Sequence, residues 1–175
     1  MPYTRRSKYR QKSYIRVNPH VVISRFNMGD ATKKFSHAVH LVARSGIQIR
    51  QNALESARMT CNRLLEKTLG KNGYYLELRA YPHHVLRENP LAAGAGADRM
   101  STGMAHPFGK PMGIAAQVHA GQTIMYVAIN KKNLELGLKS LKRASTKLPC
   151  SYYIQVKELI QNKLLKPAKA QAEAE

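Results

Sequence analysis

The residues of this chain that could carry out chemistry are concentrated in residues 87–113, a glycine- and proline-rich stretch with neither helical nor strand periodicity. Gly94 and Gly96 begin the G-x-G-x-x-G pattern with which a tight strand-to-helix turn binds a dinucleotide. Arg99 stands where that pattern requires its third glycine, and the stretch is too long to be a tight turn. The sequence therefore does not predict a dinucleotide site.

A phosphate-binding P-loop is also not predicted in this stretch. Gly109 and Lys110 resemble the end of the G-x-x-x-x-G-K-[S/T] motif, whose lysine and hydroxyl group bind phosphate and magnesium. Gly103 lies one residue too far upstream to be the first glycine, and Pro111 replaces the hydroxyl residue. We therefore expect no nucleotide cofactor.

Nucleophilic catalysis is the remaining chemistry that this stretch could support, because Ser101, Thr102 and His106 lie close together in it. Such a nucleophile and base need an acid that orients the base, and no acid with an obvious orienting role accompanies them in the sequence, although the fold could recruit Asp98. His37 and His40 would point to opposite faces of a strand, and His83 and His84 have no cysteine or carboxylate at ligand spacing. We expect no catalytic residue, no metal site and no enzyme activity.

The chain carries a large excess of positive charge, with 29 Lys and Arg against 10 Asp and Glu and a formal net charge of +19. Self-repulsion of this size destabilises a compact monomer, which implies a polyanionic partner. Nucleic acid is favoured because lysines and arginines release condensed counterions when they bind phosphates. An anionic membrane surface is the alternative, but no apolar run approaches the roughly 20 residues of a spanning helix.

The length and composition predict one folded domain. A chain of 175 residues with 43% hydrophobic residues can bury a core, and we expect that domain over residues 1–165. Cys61 and Cys150 are too few for a disulfide framework, which favours an intracellular protein. Residues 166–175 are a low-complexity tail that we expect to be disordered.

Residues 1–16 are predicted to form a basic arm that lacks acidic side chains. Arginine and lysine can bind phosphates there, and interleaved tyrosines can stack on unpaired bases. A solvated, disordered tail is the alternative reading. The cations of the arm are Arg5, Arg6, Lys8, Arg10, Lys12 and Arg16.

The first half of the chain must supply elements that position the glycine-rich stretch. Short β-branched or alternating runs predict strands over residues 20–26, 36–43, 74–81 and 83–87. The clearest helix is Gln51–Leu69, with Gly70 as its stop signal. Asn52, followed three residues later by Glu55, resembles a capping arrangement at the start of this helix.

The second half continues in the same way. Strands are predicted over residues 114–120 and Thr123–Ile129, and the glycine-containing turn between them indicates a hairpin. A helix over residues 132–147 is ended by Pro149. A last strand is expected over residues 151–157.

Several segments resemble a single protein family. AGADRMSTGM and FGKPMG in the glycine-rich stretch are similar to the large-subunit ribosomal protein called L-ten-e in archaea and eukaryotes, the counterpart of bacterial large-subunit protein sixteen. The resemblance extends to ALESARMTCNRLLEK, LRAYPHHVLREN and GIAAQVHAGQTIMYV, and it covers residues 18–149. Residues 13–30 look more like an archaeal member.

The resemblance implies an α+β domain of the α/β-hammerhead type, with two helices packed on a curved, mainly antiparallel sheet and a long loop between strands. It implies a non-enzymatic structural protein of the cytoplasmic large ribosomal subunit, bound to rRNA near the 5S rRNA and to neighbouring ribosomal proteins. The loop, residues 87–113, is implied to extend toward the peptidyl-transferase centre and to help position A-site and P-site tRNA during translation.

Two groups of residues are expected to perform this function. The rRNA-binding group comprises the cations of the arm together with Arg44, Arg50, Arg58 and Arg63. The group that faces tRNA and the peptidyl-transferase centre comprises Arg87, Gly94, Gly96, Arg99, Met100, His106, Phe108 and Lys110. A disordered insertion is the alternative reading of the loop. A free-standing RNA-modifying enzyme and a general basic nucleic-acid-binding protein are the alternative classes for the chain.

Overall fold

The computed structural model describes Ile15, Val17 and residues 19–88, 110–149 and 151–159. Within these ranges the chain forms eight strands, two α-helices and a short 3₁₀ turn. In chain order they are β1 Asn27–Gly29, β2 His37–Ala43, β3 Ile47–Arg50, α1 Gln51–Leu69, β4 Tyr75–Leu78, β5 His84–Glu88, β6 Lys110–Val118, β7 Thr123–Ile129, the 3₁₀ turn Lys131–Asn133, α2 Leu134–Ser145 and β8 Tyr152–Glu158.

The strands form two antiparallel sheets. The larger has five strands in the order β1-β4-β7-β2-β8, and the smaller has three in the order β3-β6-β5. The paired neighbours in both sheets run antiparallel. Two helices on antiparallel strands confirm the predicted α+β fold, with the strands divided between two sheets.

The two helices pack against each other and against the two sheets, and together they bury the core. Helix α2 contacts β2, β7 and β8, while α1 contacts α2, β3 and β6. Val39 and Leu41 of β2, Met125 and Val127 of β7, and Leu141 of α2 have no exposed surface. Each such side chain contributes about 1.5–3 kcal/mol by its burial, so this layer of aliphatic side chains holds the helices on the sheet.

Helix α1 has the predicted bounds, but it begins differently from the prediction. Its N-cap is Arg50, in an extended conformation and without a side-chain capping bond, so the capping arrangement at Asn52 is wrong. The side-chain oxygen of Gln51 instead accepts a hydrogen bond from the backbone N–H of Val22 at 3.0 Å. Gly70 ends the helix as predicted, with φ 68°.

The predicted hairpin of β6 and β7 is wrong, because the two strands belong to different sheets. Both edges of β7 are occupied, one by β2 and the other by β4, so β6 has no edge of β7 to pair with. Gly121, with φ 78°, turns the chain from one sheet to the other. Its N–H donates to the carbonyl of Ala43 at 2.9 Å, and Ala43 donates to Gln122 at 3.1 Å.

The predicted strand over residues 20–26 is also wrong. The chain there forms no strand and pairs with no strand in the described part of the chain. Ile23 is buried in the core, and the Phe26 carbonyl accepts a hydrogen bond from Leu78 at 2.9 Å. The segment thus contributes an apolar anchor, and the ladder begins only at β1. Strand β3 was not predicted, because its four residues are too few to show a period.

Candidate RNA-binding surface

An antiparallel ribbon made of β5 and β6 carries the glycine-rich loop. The register pairs His84 with Ala115, Val85 with Ile114 and, at the outer end, Glu88 with Lys110. Pairing therefore extends into both ends of the predicted loop, and residues 89–109 connect the two strands. Leu86 and Ile114 are buried and fix the ribbon to the domain, so the two ends of the loop emerge side by side.

Many of the predicted functional residues lie outside the described part of the chain. For the arm these are Arg5, Arg6, Lys8, Arg10, Lys12 and Arg16. For the loop they are Gly94, Gly96, Arg99, Met100, His106 and Phe108. Arg87 is placed by its backbone in β5, and Lys110 is exposed at the start of β6.

Arg58 of α1 is buried and engaged within the protein. Its Nε donates to one carboxylate oxygen of Glu55 at 2.7 Å, and its Nη2 donates to the other at 2.5 Å. Nη2 also donates to the Ser24 hydroxyl at 3.2 Å, and Nη1 reaches the sulfur of Met28. The hydrogen bonds that Arg58 donates to Glu55 hold the pKa of the Glu55 carboxyl below its usual value. Arg58 therefore ties α1 to the segment that precedes β1.

Arg63 lies on the exposed part of the same helix. It borders a shallow depression of about 670 Å³ together with Met59, Asn62 and Lys67. Arg63 and Lys67 pair with no carboxylate among the described residues. This part of α1 therefore presents unpaired positive charge next to a concave surface, which suits an RNA backbone.

Arg50 and Arg44 lie on other parts of the surface. Arg50 is exposed at the end of β3 and borders a small cavity of about 160 Å³ with Leu86 and Met112 of the ribbon. Arg44 follows β2 and is exposed, and its backbone N–H donates to Ser151 at 3.3 Å. The structure thus places Arg50 near the base of the loop and Arg44 near the start of β8.

The carboxylates of the described surface neutralise few of these cations. Glu55 pairs with Arg58, Glu77 with Arg79 at 3.4 Å, and Glu158 approaches His37 at 3.7 Å. These three carboxylates are engaged locally, and the lysines and arginines outside these pairs remain available to a polyanion.

The described residues show neither a metal-binding cluster nor a reactive cysteine. No group of three or more His, Cys, Asp or Glu side chains in residues 19–88, 110–149 and 151–159 is arranged to hold a metal ion. Cys61 is fully buried, and this burial raises the pKa of its thiol to about 11. A thiol with this pKa is not a nucleophile at neutral pH.

A second polar surface was not among the predicted sites. It is the side of the five-stranded sheet that faces away from the helices, where His40, Tyr75, Glu77 and Tyr126 lie together. The alternation along β4 indicates from the sequence that Tyr75 and Glu77 share one face. Which residues of β2 and β7 lie beside them depends on the strand order, which the sequence does not show.

Helices long and apolar enough to cross a membrane are absent from the described part of the chain.

The chain belongs to a family of ribosomal proteins. It matches the family model described as ribosomal protein L16p/L10e over residues 3–155. This match confirms the resemblance found in the sequence, and with it a ribosomal structural role and not that of an enzyme.

The relatives come from archaea. The chain is 43% identical over 162 residues to the large ribosomal subunit protein uL16 of Methanococcus maripaludis strain C5, covering 91% of this chain and 94% of that protein. It is 44% identical over 158 residues to uL16 of Staphylothermus marinus, covering 90% and 87%. With uL16 of Methanocella arvoryzae it shares 43% identity over 150 residues, covering 86% and 87%.

Proposed function

We propose that the chain is a structural constituent of the large ribosomal subunit in the cytoplasm, that it binds rRNA, and that its loop extends toward the peptidyl-transferase centre to help position A-site and P-site tRNA. Membership of the L16p/L10e family supports the ribosomal role. The names of the archaeal relatives support the large subunit. The placement near 5S rRNA and among neighbouring ribosomal proteins belongs to the same proposal.

The observation that carries the role of the loop is the ribbon beneath it. Strands β5 and β6 are paired up to Glu88 and Lys110, with a register shift between Leu86 and Arg87, so the loop begins and ends at two paired residues of the scaffold. Loops positioned by a rigid scaffold commonly carry binding residues. Arg99 and Lys110 then serve phosphates, and the glycines allow close approach of backbone to RNA.

The rRNA contacts are assigned to exposed cations. Arg44, Arg50 and Arg63 are exposed, and the six cations of the arm add charge without any acid. Arg58 has a structural role, because its guanidinium is paired with the carboxylate of Glu55. It supports rRNA binding by keeping α1 in place beside residues 24–28.

Sedimentation through a high-salt gradient tests the ribosomal role. A constituent protein should remain with purified large subunits as the salt concentration rises, because a shaped interface also holds it by contacts that salt does not screen. A basic protein that binds RNA generally should be released, since each phosphate contact steepens the salt dependence of binding. Release of the chain at the salt concentration that removes such a protein would contradict the proposal.

Deletion of the loop tests its role. Residues 92–108 are replaced with a short turn that keeps β5 and β6 in register, and reconstituted large subunits are compared with wild type. We expect the chain to fold and to join the subunit, while tRNA binding and peptide-bond formation are impaired. Arg99→Ala should show a smaller version of the same defect. Wild-type translation by subunits with the deleted loop would disprove the assigned role.

A further inference from the structure

The face of the five-stranded sheet that points away from the helices is polar and aromatic. Side chains alternate between the two faces of a strand, and Val39 and Val127 belong to the core on the helix side. The residues that neighbour each valine along its strand therefore share the opposite face of the sheet. The register places His40 beside Tyr126 and Tyr126 beside Glu77 on three adjacent strands.

A cavity of about 490 Å³ opens on this face. Ala38 and Ala128 line it, and because their side chains are small they leave room for a ligand. Pockets for small molecules have volumes of roughly 300–1,000 Å³, so the space suits one nucleotide. The lining residues that can bind a ligand are Lys34, Phe35, His40, Tyr75, Arg79 and Tyr126.

The aromatic rings of the cavity are held in fixed positions. The Tyr126 hydroxyl donates to the Glu77 carboxylate at 2.8 Å, and the Tyr75 hydroxyl donates to it at 3.1 Å. The ring of His40 stacks on that of Tyr126, with centroids 5.2 Å apart and an interplanar angle of 25°. Rings held in this way lose little conformational freedom when a base stacks on them.

Positive charge surrounds these rings. The Arg79 guanidinium lies 5.3 Å from the centre of the Tyr126 ring, and Lys33 and Lys34 border the cavity. Glu77 is already engaged by both tyrosines and by Arg79. The carboxylate therefore does not oppose an anion in the cavity as a free charge would.

His40 adds a polar group without a partner. Its Nδ1 is buried and has no hydrogen-bond partner among the described residues. Burial, followed by the charges of Lys157 and Arg79, holds the pKa of the imidazole below its usual value. The neutral ring carries no charge, so its face can stack on a base beside Tyr126.

From this arrangement we infer that the cavity binds a single unstacked nucleotide of the rRNA, with its base against Tyr126 and His40 and its phosphate beside Lys34 and Arg79. The inference rests on the proposed residence in the ribosome. Sequence-specific contacts to RNA are made mainly with unpaired bases that stack on aromatic side chains. Double-stranded RNA cannot enter, because its bases are stacked and paired.

A side chain of a neighbouring protein is the competing occupant. The cations at the rim favour a ligand that brings negative charge next to its flat ring, and a nucleotide combines both in one unit. An apolar side chain would leave Lys34, which pairs with no carboxylate among the described residues, without a counterion.

Photo-cross-linking in assembled subunits tests the occupant. A benzophenone side chain is placed at Leu159, which borders the cavity and is 43% exposed, and for comparison at Met59 on α1, which is 52% exposed. We expect the probe at Leu159 to capture rRNA at one nucleotide or its immediate neighbours. Capture of a ribosomal protein by the probe at Leu159 overturns the inference. If the probe at Met59 captures rRNA in the same subunits, the proposed function still stands. Failure of both labelled chains to sediment with the subunit contradicts the proposed function.

Binding by the free full-length chain separates stacking from general charge. The probes are a short single-stranded oligouridylate and an RNA duplex of the same length. Tyr126→Leu should weaken binding of the single strand by about five- to a hundredfold, as expected for loss of one stacked base, and should leave duplex binding unchanged. Tyr126→Phe keeps the ring but not the hydrogen bond to Glu77, so it should bind as wild type. Equal losses for both RNAs, or the same loss with Phe as with Leu, overturn the inference.

The phosphate contact has a separate readout. Arg79→Ala should reduce the slope of log affinity for the single strand against log salt by about 1, which corresponds to the loss of one phosphate contact. Lys142→Ala is the matched control, because Lys142 is exposed on α2, on the other side of the sheet. An equal change of slope in both variants would show that the cavity has no preferred phosphate, and would overturn that part of the inference.

Discussion

The carboxylate of Glu55 receives two hydrogen bonds from the guanidinium of Arg58, at 2.7 and 2.5 Å, one turn further along the same helix. Both residues are less than a tenth exposed. An arginine of this basic protein is thus used to stabilise its own fold and not to bind RNA directly. The pair also reaches Ser24, so it joins α1 to the chain that leads into β1.

We expect Arg58→Ala to lower the free energy of unfolding by about 2–3 kcal/mol, because it leaves the buried carboxylate of Glu55 without its partner. Arg63→Ala on the same helix is the control and should change stability by less than about 0.5 kcal/mol, since Arg63 is exposed. Urea unfolding of the full-length variants measures both. Equal losses in the two variants would show that the pair contributes nothing specific. A double-mutant cycle with Glu55→Ala then gives the coupling energy.

The same pair predicts how stability depends on pH. Hydrogen bonds from Arg58 hold the pKa of Glu55 below the ordinary value of 4.5 in the folded protein. A carboxyl group with a depressed folded pKa stabilises the fold above its unfolded pKa, and this contribution is lost as the pH falls through the folded pKa. The stability difference between wild type and Glu55→Gln should therefore be largest above about pH 4.5 and shrink below it. A difference that stays constant into the acid range would contradict this.

Three glycines form a graded test of backbone constraints. Gly29 has φ +86°, and a Cβ there would collide with the backbone carbonyl of Tyr74; Gly70 has φ +68° and open space around it. Gly113 has neither constraint. We expect Gly29→Ala to cost more than about 2 kcal/mol, Gly70→Ala about 1 kcal/mol, and Gly113→Ala almost nothing. Thermal unfolding should give this order, and a cost at Gly113 similar to that at Gly29 would contradict it.

The elements that the sequence predicted well are those whose period decides their structure without help from distant residues. Helix α1 shows a long stripe of apolar residues and a glycine stop, so both bounds were predicted correctly. Strand β4 alternates so regularly that its buried and exposed faces could be assigned. Strand pairing could not be predicted from periodicity, because it depends on which strand edges remain unpaired in the folded sheets. The β6–β7 hairpin failed for this reason.

The burial of Arg58 could have been recognised from spacing. It lies four residues after Leu54, on the same helical face, and three after Glu55, which can pair with it. The assignment of Arg58 to the rRNA-binding group weighed its charge more heavily than its position. The cavity around His40 could not be predicted from the sequence, because only the order of three strands brings Tyr126 and Tyr75 close to His40.

We expect the thiol of Cys61 to resist alkylation in the folded protein. It is fully buried, and its pKa is raised to about 11 by that burial, so the reactive thiolate is scarce at neutral pH. The test uses a Cys150→Ser background, which leaves Cys61 as the one cysteine of the chain. Iodoacetamide should modify it at the rate of unfolding, and urea should accelerate the reaction. Fast modification of the folded chain would show that the core around α1 opens readily.

Arg63 gives a direct measure of the proposed rRNA contact. It is exposed and unpaired among the described residues, beside the depression on α1. If Arg63 neutralises one phosphate, Arg63→Gln should reduce the slope of log affinity for large-subunit rRNA against log salt by about 0.7–0.9. Arg63→Lys keeps the charge and should keep the slope. Filter binding over a series of potassium chloride concentrations measures both, and a slope unchanged by Arg63→Gln would remove this residue from the rRNA-binding group.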